Sequence, residues 1–240
     1  DWSSDVCSSD LGGTAYRMLF GWPPNTVKPG DVVLVWGGAG GLGSLAIQLV
    51  ANAGGRAVAV VSSPEKGEYC KGLGAVGYVD RTAFSHWGVP PAWDSPEWKT
   101  WFDGAKAFGK AIWDVLGEKT NPRIVFEHPA QDTVPTSNFV CERGGMIVIC
   151  AGTTGYDTMI DVRYLWYLQK RYQGSHLFND EQASAFNDLV RARTVTTTLG
   201  HTYDYGDTGR VHALMGEGTL PEGNVAVLVS AAERGLGKRA

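Results

Sequence analysis

The chain has 240 residues, 43% of them hydrophobic and 19% charged, with a formal net charge of −4. That length and apolar content suit one large domain with a buried core, and the weak negative charge gives no reason to expect nucleic acid or an anionic membrane as partner. No apolar run approaches the roughly 20 residues of a membrane-spanning helix, and no basic region followed by an apolar stretch marks a secretory signal.

The four cysteines, Cys7, Cys70, Cys141 and Cys150, form no C-x-x-C pair and no zinc-finger spacing. They read as free thiols of a cytoplasmic protein, and no metal site is expected. "DWSSDVCSSDL", residues 1–11, is rich in Ser and Asp and has no period. It is set aside as a leader, non-native or disordered. "TAYRMLFGW" then reads as a helix closed by "PPN".

Asp31 to Trp36 reads as a buried strand. Directly after it comes Gly38-Ala39-Gly40-Gly41-Leu42-Gly43, a G-x-G-x-x-G set that opens a helix from Leu42 to Ala53. In a dinucleotide-binding turn the first glycine permits the tight bend, the second lets backbone approach a pyrophosphate, and the third lets helix and strand pack closely. Gly38, Gly40 and Gly43 take those places, with Gly41 and Leu42 between them, and the helix N-terminus faces the phosphates. The strand before, the helix after and the second strand following give the motif the context it needs.

That second strand, "RAVAVV", runs into Ser62-Ser63-Pro64-Glu65-Lys66, with Ser63 capping a helix whose first position is Pro64. Proteins that bind NAD usually place an acid at this strand end for the ribose 2′-hydroxyl. Here the tip carries Ser62 and Ser63, with Lys66 able to pair with a 2′-phosphate. Glu65 complements the helix dipole. The expected cofactor is NADPH.

"AVGYV" is strand three. The stretch from about 84 to 122 carries five of the nine tryptophans, Trp87, Trp93, Trp98, Trp101 and Trp113. Its second half has a helical period that puts Trp98, Trp101 and Phe102 on one face. It is either an aromatic wall near a substrate or subunit, or a helical insertion packing its aromatics on the sheet. "RIVFEH" is strand four, followed by a helix around "DTVPTSNFVCE". "MIVICA" is strand five, "RYLWYLQKR" a helix, "QGSHLF" strand six, "DEQASAFNDLVRAR" a helix and "NVAVLVS" a last strand. The alternation gives an α/β fold, a Rossmann-like doubly wound parallel sheet over residues 12–236, with a Trp-rich helical insertion between strands three and four. "NVAVLVS" is apolar on both faces: it is either an ordinary core strand with a protected edge or an open edge that takes up a partner strand.

"TAYRMLFGWPPNTVKPGDVVLVWGGAGGLGSLAIQLV", the Trp-rich segment, "IVFEHPAQDT", "ERGGMIVICAGTTGY" and "RYLWYLQKRYQGSH" together resemble the crotonyl-CoA carboxylase/reductase family of the medium-chain dehydrogenase/reductase superfamily. The resemblance runs from about Gly12 to Leu236. It implies NADPH-dependent reductive carboxylation: hydride reaches the β-carbon of an enoyl-CoA thioester, and the enolate attacks carbon dioxide. It adds Ala151 and Gly152, in "CAGTTGY", to the cofactor-binding residues. It singles out His176, among His86, His128, His176, His201 and His212, as the residue that helps hold carbon dioxide. It also implies a homo-oligomer, dimer or tetramer, and a GroES-like lobe before Thr14 that carries most of the carbon dioxide pocket and is expected to be missing here. The chain departs from the family in running from His176 into Leu177-Phe178-Asn179. The alternatives are an enoyl-CoA or quinone reductase without carboxylation, and a cofactor-binding fragment that does not turn over by itself.

Overall fold

Val32–Trp36 (β1) is apolar at every position and buried throughout, and a strand without a polar face must be covered on both sides. The computed structural model, which describes residues 2–229, shows that cover. Trp2–Phe20 (α1) precedes β1, and Gly41–Asn52 (α2), Arg56–Val61 (β2), Pro64–Gly72 (α3) and Gly77–Asp80 (β3) follow it. Next come Pro96–Leu116 (α4), Ile124–Glu127 (β4), Val134–Val140 (α5), Met146–Ile149 (β5), Val162–Trp166 (α6), Arg171–Gly174 (β6) and Asp180–Arg191 (α7). Six strands pair in the order β3-β2-β1-β4-β5-β6, all parallel.

The pleat of β1 divides the core. Val33 and Val35 meet Met18, Leu45, Leu49 and Phe186 from α1, α2 and α7. Val32, Leu34 and Trp36 meet Phe108 and Ile112 of α4 and Val140 of α5. Burying each such side chain contributes about 1.5–3 kcal/mol.

The Trp-rich segment is the crossover between β3 and β4; Phe108, Phe84 and Trp87 join the core, whereas Trp93 is exposed. Trp36 stacks on Phe108 with ring centroids 5.5 Å apart and meets Trp87 edge-on at 5.5 Å. Trp98, Trp101 and Phe102 share one side of α4 as their spacing requires, with Trp98 and Trp101 5.2 Å apart and Phe102 5.4 Å from Phe139.

Six elements differ from the sequence expectation. Helix α1 starts at Trp2, so residues 2–11 are helical rather than irregular. Leu11 packs on the first core cluster. The stretch 163–171 is not one helix: Gln169 takes φ +52°, the Lys170 N–H closes onto the Leu165 carbonyl, and Arg171 already pairs with Met146. Strand six therefore ends at Gly174, and His176 lies beyond it. The last strand, Asn224–Leu228 (β8), is not in the six-stranded sheet. It pairs parallel with Leu199–Asp204 (β7), an unforeseen strand, across an unforeseen helix, Thr208–Glu217 (α8). The edge expected at "NVAVLVS" is β6. Ser230, and the domain bound placed at 236, lie outside the described residues, as does the side chain of Cys7. Among the described residues no helix is long and apolar enough to cross a membrane.

Candidate functional site

A parallel sheet collects its functional groups at the carboxyl ends of the strands, where the order reverses. That point lies between β1 and β4: the chain leaves β1 toward β2 and β3 on one side and returns to β4, β5 and β6 on the other.

The glycine turn is built from three different demands. Gly37 takes φ +59°, and a Cβ there would lie 2.4 Å from His128 Nε2. The left-handed residue is thus Gly37, which the sequence reading passed over. Gly38 is buried, and its Cβ would stand 2.8 Å from that of Ala59 on β2. Gly43 is buried in the first turn of α2, where a Cβ would meet the Gly37 carbonyl oxygen at 2.3 Å. Gly40 differs from both. It is exposed, its φ is −78°, and a Cβ would touch only the Gly37 carbonyl oxygen, at 3.3 Å. Helix α2 starts on Gly40 without a side-chain cap, which leaves its first N–H groups for an outside acceptor. This uncapped end and bare Cα fit a phosphate group. Leu42 packs sideways on the core.

Gly41 answers to another neighbour. A Cβ there would lie 1.9 Å from Asn224 Oδ1. The Gly223 N–H donates to the Ala39 carbonyl at 2.8 Å, and Ser44 Oγ meets Thr198 Oγ1 at 2.8 Å. The start of β8 is thereby held against the turn, a contact that no local pattern in "PEGNV" announces.

At the end of β2 the three chosen residues come together. Ser63 caps α3 by accepting from the Lys66 N–H, and Lys66 Nζ donates to Ser62 Oγ at 3.4 Å. The Glu65 carboxyl is held below its ordinary range, first by its own backbone N–H and then by the Ser63 hydroxyl. It is occupied with the helix start. Asp80 at the end of β3 accepts from the N–H and hydroxyl of Thr82.

On the other side of the crevice, β4 brings two residues that the sequence reading did not select. His128 Nε2 lies 3.1 Å from the Trp36 carbonyl oxygen. A carbonyl only accepts, so Nε2 carries the proton. Burial lowers the His128 pKa, against the effect of that bond. Glu127 is 0% exposed. Ser137 Oγ donates to its Oε1 at 2.9 Å and in turn accepts from Trp36 Nε1 at 2.9 Å. Oε2 has no hydrogen-bond partner among the described residues. Burial pushes this carboxyl up to about 7, against the pull of Thr133, Ser137 and the N–H groups of Ala130 and His128.

Farther along, Ala151 is exposed just past β5, and Gly152 turns against the Gly155 carbonyl and the Tyr156 ring. His176 is exposed one residue past the buried Ser175, whose N–H donates to the Ile149 carbonyl. The departure at 177–179 has a local cause. Leu177 takes φ +49°, Phe178 packs where Gly13 has no side chain, and Asn179 forms a capping box with Gln182 at the start of α7. The candidate residues so form one row, β2 to β1 to β4 to β5 to β6, about 19 Å long at the usual strand spacing.

Residues 41–192 match the family model for zinc-binding dehydrogenases. The chain belongs to that family. Among the described residues no three His, Cys, Asp or Glu side chains gather as metal ligands. Cys70 and Cys141 are buried thiols pushed up to about 12, and Cys150 to about 11.

Within this dehydrogenase family the chain is similar to the crotonyl-CoA carboxylase/reductase of Cereibacter sphaeroides, 46% identical over 235 residues, which are 98% of this chain and 55% of that one. It is similar to the structure of the crotonyl-CoA carboxylase/reductase AntE in complex with NADP, at a TM-score of 0.93 and 50% identity over 97% of this chain and 58% of that one. It is also similar to the 2-octenoyl-CoA carboxylase reductase CinF in complex with NADP and 2-octenoyl-CoA, at a TM-score of 0.85 and 35% identity over 99% of this chain and 52% of that one. The chain spans about half the length of the relatives it matches.

The two exposed-or-buried classes of glycine in this dehydrogenase turn respond differently to a methyl group. Gly43→Ala is expected to destabilise the chain by about 1–3 kcal/mol, because the Cβ meets backbone that cannot give way. Gly40→Ala is expected to cost under about 1 kcal/mol, the price of an alanine at a helix start. Urea unfolding of both variants checks this; equal losses would contradict the assignment of Gly40 as the outward-facing residue.

Proposed function

We propose that this chain is the NADPH-binding half of an enzyme that reductively carboxylates an enoyl-CoA thioester. The observation that carries the reading is the single row of candidate groups along the carboxyl edge of the sheet. Lys66 with Ser62 and Ser63 would receive the 2′-phosphate, and the α2 N–H groups beside Gly40 the pyrophosphate. The nicotinamide end then falls toward Ala151 and Gly152. The names of the similar proteins, which include carboxylase/reductases bound to NADP, support the same reading.

NADPH, when bound, supplies the hydride that reaches the β-carbon of the enoyl thioester. The chain's own work is to place the reactants. The positive end of α2 and the Lys66 ammonium hold the anionic groups. His176, past the end of β6, holds carbon dioxide by a hydrogen bond against the α-carbon of the enolate, so that carboxylation outruns protonation. Keeping water out needs a second wall. We place the enoyl-CoA and carbon dioxide pocket between this edge and the half of the relatives' length that this chain does not span. The free thiols accord with a cytoplasmic setting, and the outer edge of β6, which pairs with no strand among the described residues, with a homo-oligomer, dimer or tetramer.

Titration of the chain with NADPH and NADH, followed by tryptophan fluorescence, tests the cofactor assignment. NADPH is expected to bind roughly 10- to 100-fold more tightly, since a charge-assisted phosphate contact contributes about 1.5–3 kcal/mol. Lys66→Ala is expected to remove most of the difference. Equal or tighter binding of NADH would overturn the assignment.

The His176 role is tested in a chimera that joins this chain to the preceding half of the Cereibacter sphaeroides enzyme. With crotonyl-CoA, NADPH and saturating bicarbonate, His176→Asn is expected to keep reduction while shifting product from ethylmalonyl-CoA to butyryl-CoA. An unchanged ratio at undiminished rate removes His176 from the carbon dioxide site. Equal loss of both products makes its role structural.

A further inference from the structure

Glu127 is a wholly buried carboxyl with no task in the scheme above. It stands at the last position of β4, between the glycine turn on β1 and the Ala151–Gly152 turn after β5. One oxygen is tied through Ser137 to the Trp36 indole; the other completes no hydrogen bond among the described residues, although the Thr133 hydroxyl and the N–H groups of Ala130 and His128 pull on the carboxyl. The next residue, His128, braces the turn at Gly37. The carboxyl therefore belongs to the strand at the middle of the row proposed for the nucleotide.

Among the groups that act on it, the carboxyl alone changes charge near neutral pH; one shell farther out, Lys170, whose Nζ donates to the Asn138 carbonyl of α5, is lowered to about 8 by burial and is common to the wild-type chain and Glu127→Gln. Cys150, past β5, and Tyr172, on β6, face it and are both held protonated by burial. His128 is held neutral by burial, as is His86 of the α4 segment, lowered to about 4, whose Nε2 meets Thr136 Oγ1. From α5 and its cap come the hydroxyls of Ser137 and Thr133, and from β1 the indole. None of the groups that act on the carboxyl is a cation.

We propose that Glu127, without touching the nucleotide, sets the balance between its reduced and oxidised forms: neutral, it favours the uncharged dihydronicotinamide, and ionised, it favours the cationic ring. This inference rests on the NADPH reading above. When hydride leaves, the ring C4–H bond breaks, its electron pair goes to the β-carbon of the enoyl thioester, where a C–H bond forms, and the ring is left with a positive charge. A carboxylate in a poorly screened interior attracts that charge far more strongly than it would in water. Its proton is released to solvent.

The test is the ratio of dissociation constants for NADPH and NADP+, read by tryptophan fluorescence on the full chain at pH 6 and pH 8.5. Both nucleotides carry the 2′-phosphate, so its own titration cancels in the ratio. The preference is expected to move toward NADP+ by on the order of tenfold as pH rises, and to stay level in Glu127→Gln. Ser137→Ala, which removes a hydrogen bond to the ionised form and leaves the carboxyl in place, is expected to carry the change to higher pH. A ratio that ignores pH in the wild-type chain, or that moves equally in Glu127→Gln, overturns the inference while leaving the cofactor reading intact. If Glu127→Gln does not fold, an unshifted transition in Ser137→Ala overturns it. Failure of either nucleotide to bind at any pH overturns both.

Discussion

The distance between the first turn of α2 and the end of β1 governs the site. A Cβ at Gly43 would stand 2.3 Å from the Gly37 carbonyl oxygen and 2.8 Å from the Gly38 Cα. Only a chain with bare Cα atoms on both sides of that contact lets the helix start so close to the strand. Its uncapped N–H groups then sit over the point where strand order reverses, the one place in a doubly wound sheet where connecting loops diverge and leave a crevice. Wider packing would move the helix terminus off the crevice and leave its field pointing at nothing.

The two flanks of the crevice are held by different means. On the β2 flank, short polar contacts do the work: Ser63 caps α3, and Lys66 folds back to Ser62. On the β4 flank, aromatic packing does. Phe108 and Trp87 clamp the Trp36 ring, its indole N–H is fixed by Ser137, and its carbonyl oxygen is fixed by His128. The Trp-rich crossover thus reaches the site through Trp36 of β1 and through His86, which meets Thr136 of α5. A buried carboxyl within this apolar flank is costly unless it is neutral or serves a purpose, and that is the tension from which the role given to Glu127 arises.

How much of this was legible in the sequence follows from what is local. Strands β1, β2, β4 and β5 are short apolar runs beside turn residues, and the glycine set announces itself by spacing. The Ser63 cap with Pro64 after it is equally local. The edge of strand six was misplaced because "RYLWYLQKR" carries helical spacing, while Gln169 breaks the helix by a positive φ that its side chain does not advertise. Strand β7, "LGHTYD", mixes polar and apolar residues without a buried face, and its partner lies some twenty residues on across α8, so nothing in it speaks for a strand. Glu127 and His128 were passed over for a further reason. A charged residue after an apolar run reads as the strand's exit to solvent, and only tertiary packing reveals that this one never reaches it. Nothing in the sequence shows why Gly41 needs a bare Cα against Asn224, 183 positions away in the chain.

The central claim is that one dinucleotide lies along the carboxyl edge from β2 to β5. Backbone amide shifts of the isotopically labelled chain, followed during titration with NADPH, test it most directly. The account predicts that the perturbed amides fall in one connected row: Ser62 to Lys66, Gly40 to Ser44, His128, then Ala151 and Gly152, with α4 and α8 unmoved. Shifts confined to the aromatic crossover or to the β7–β8 unit, with the glycine turn silent, would contradict it.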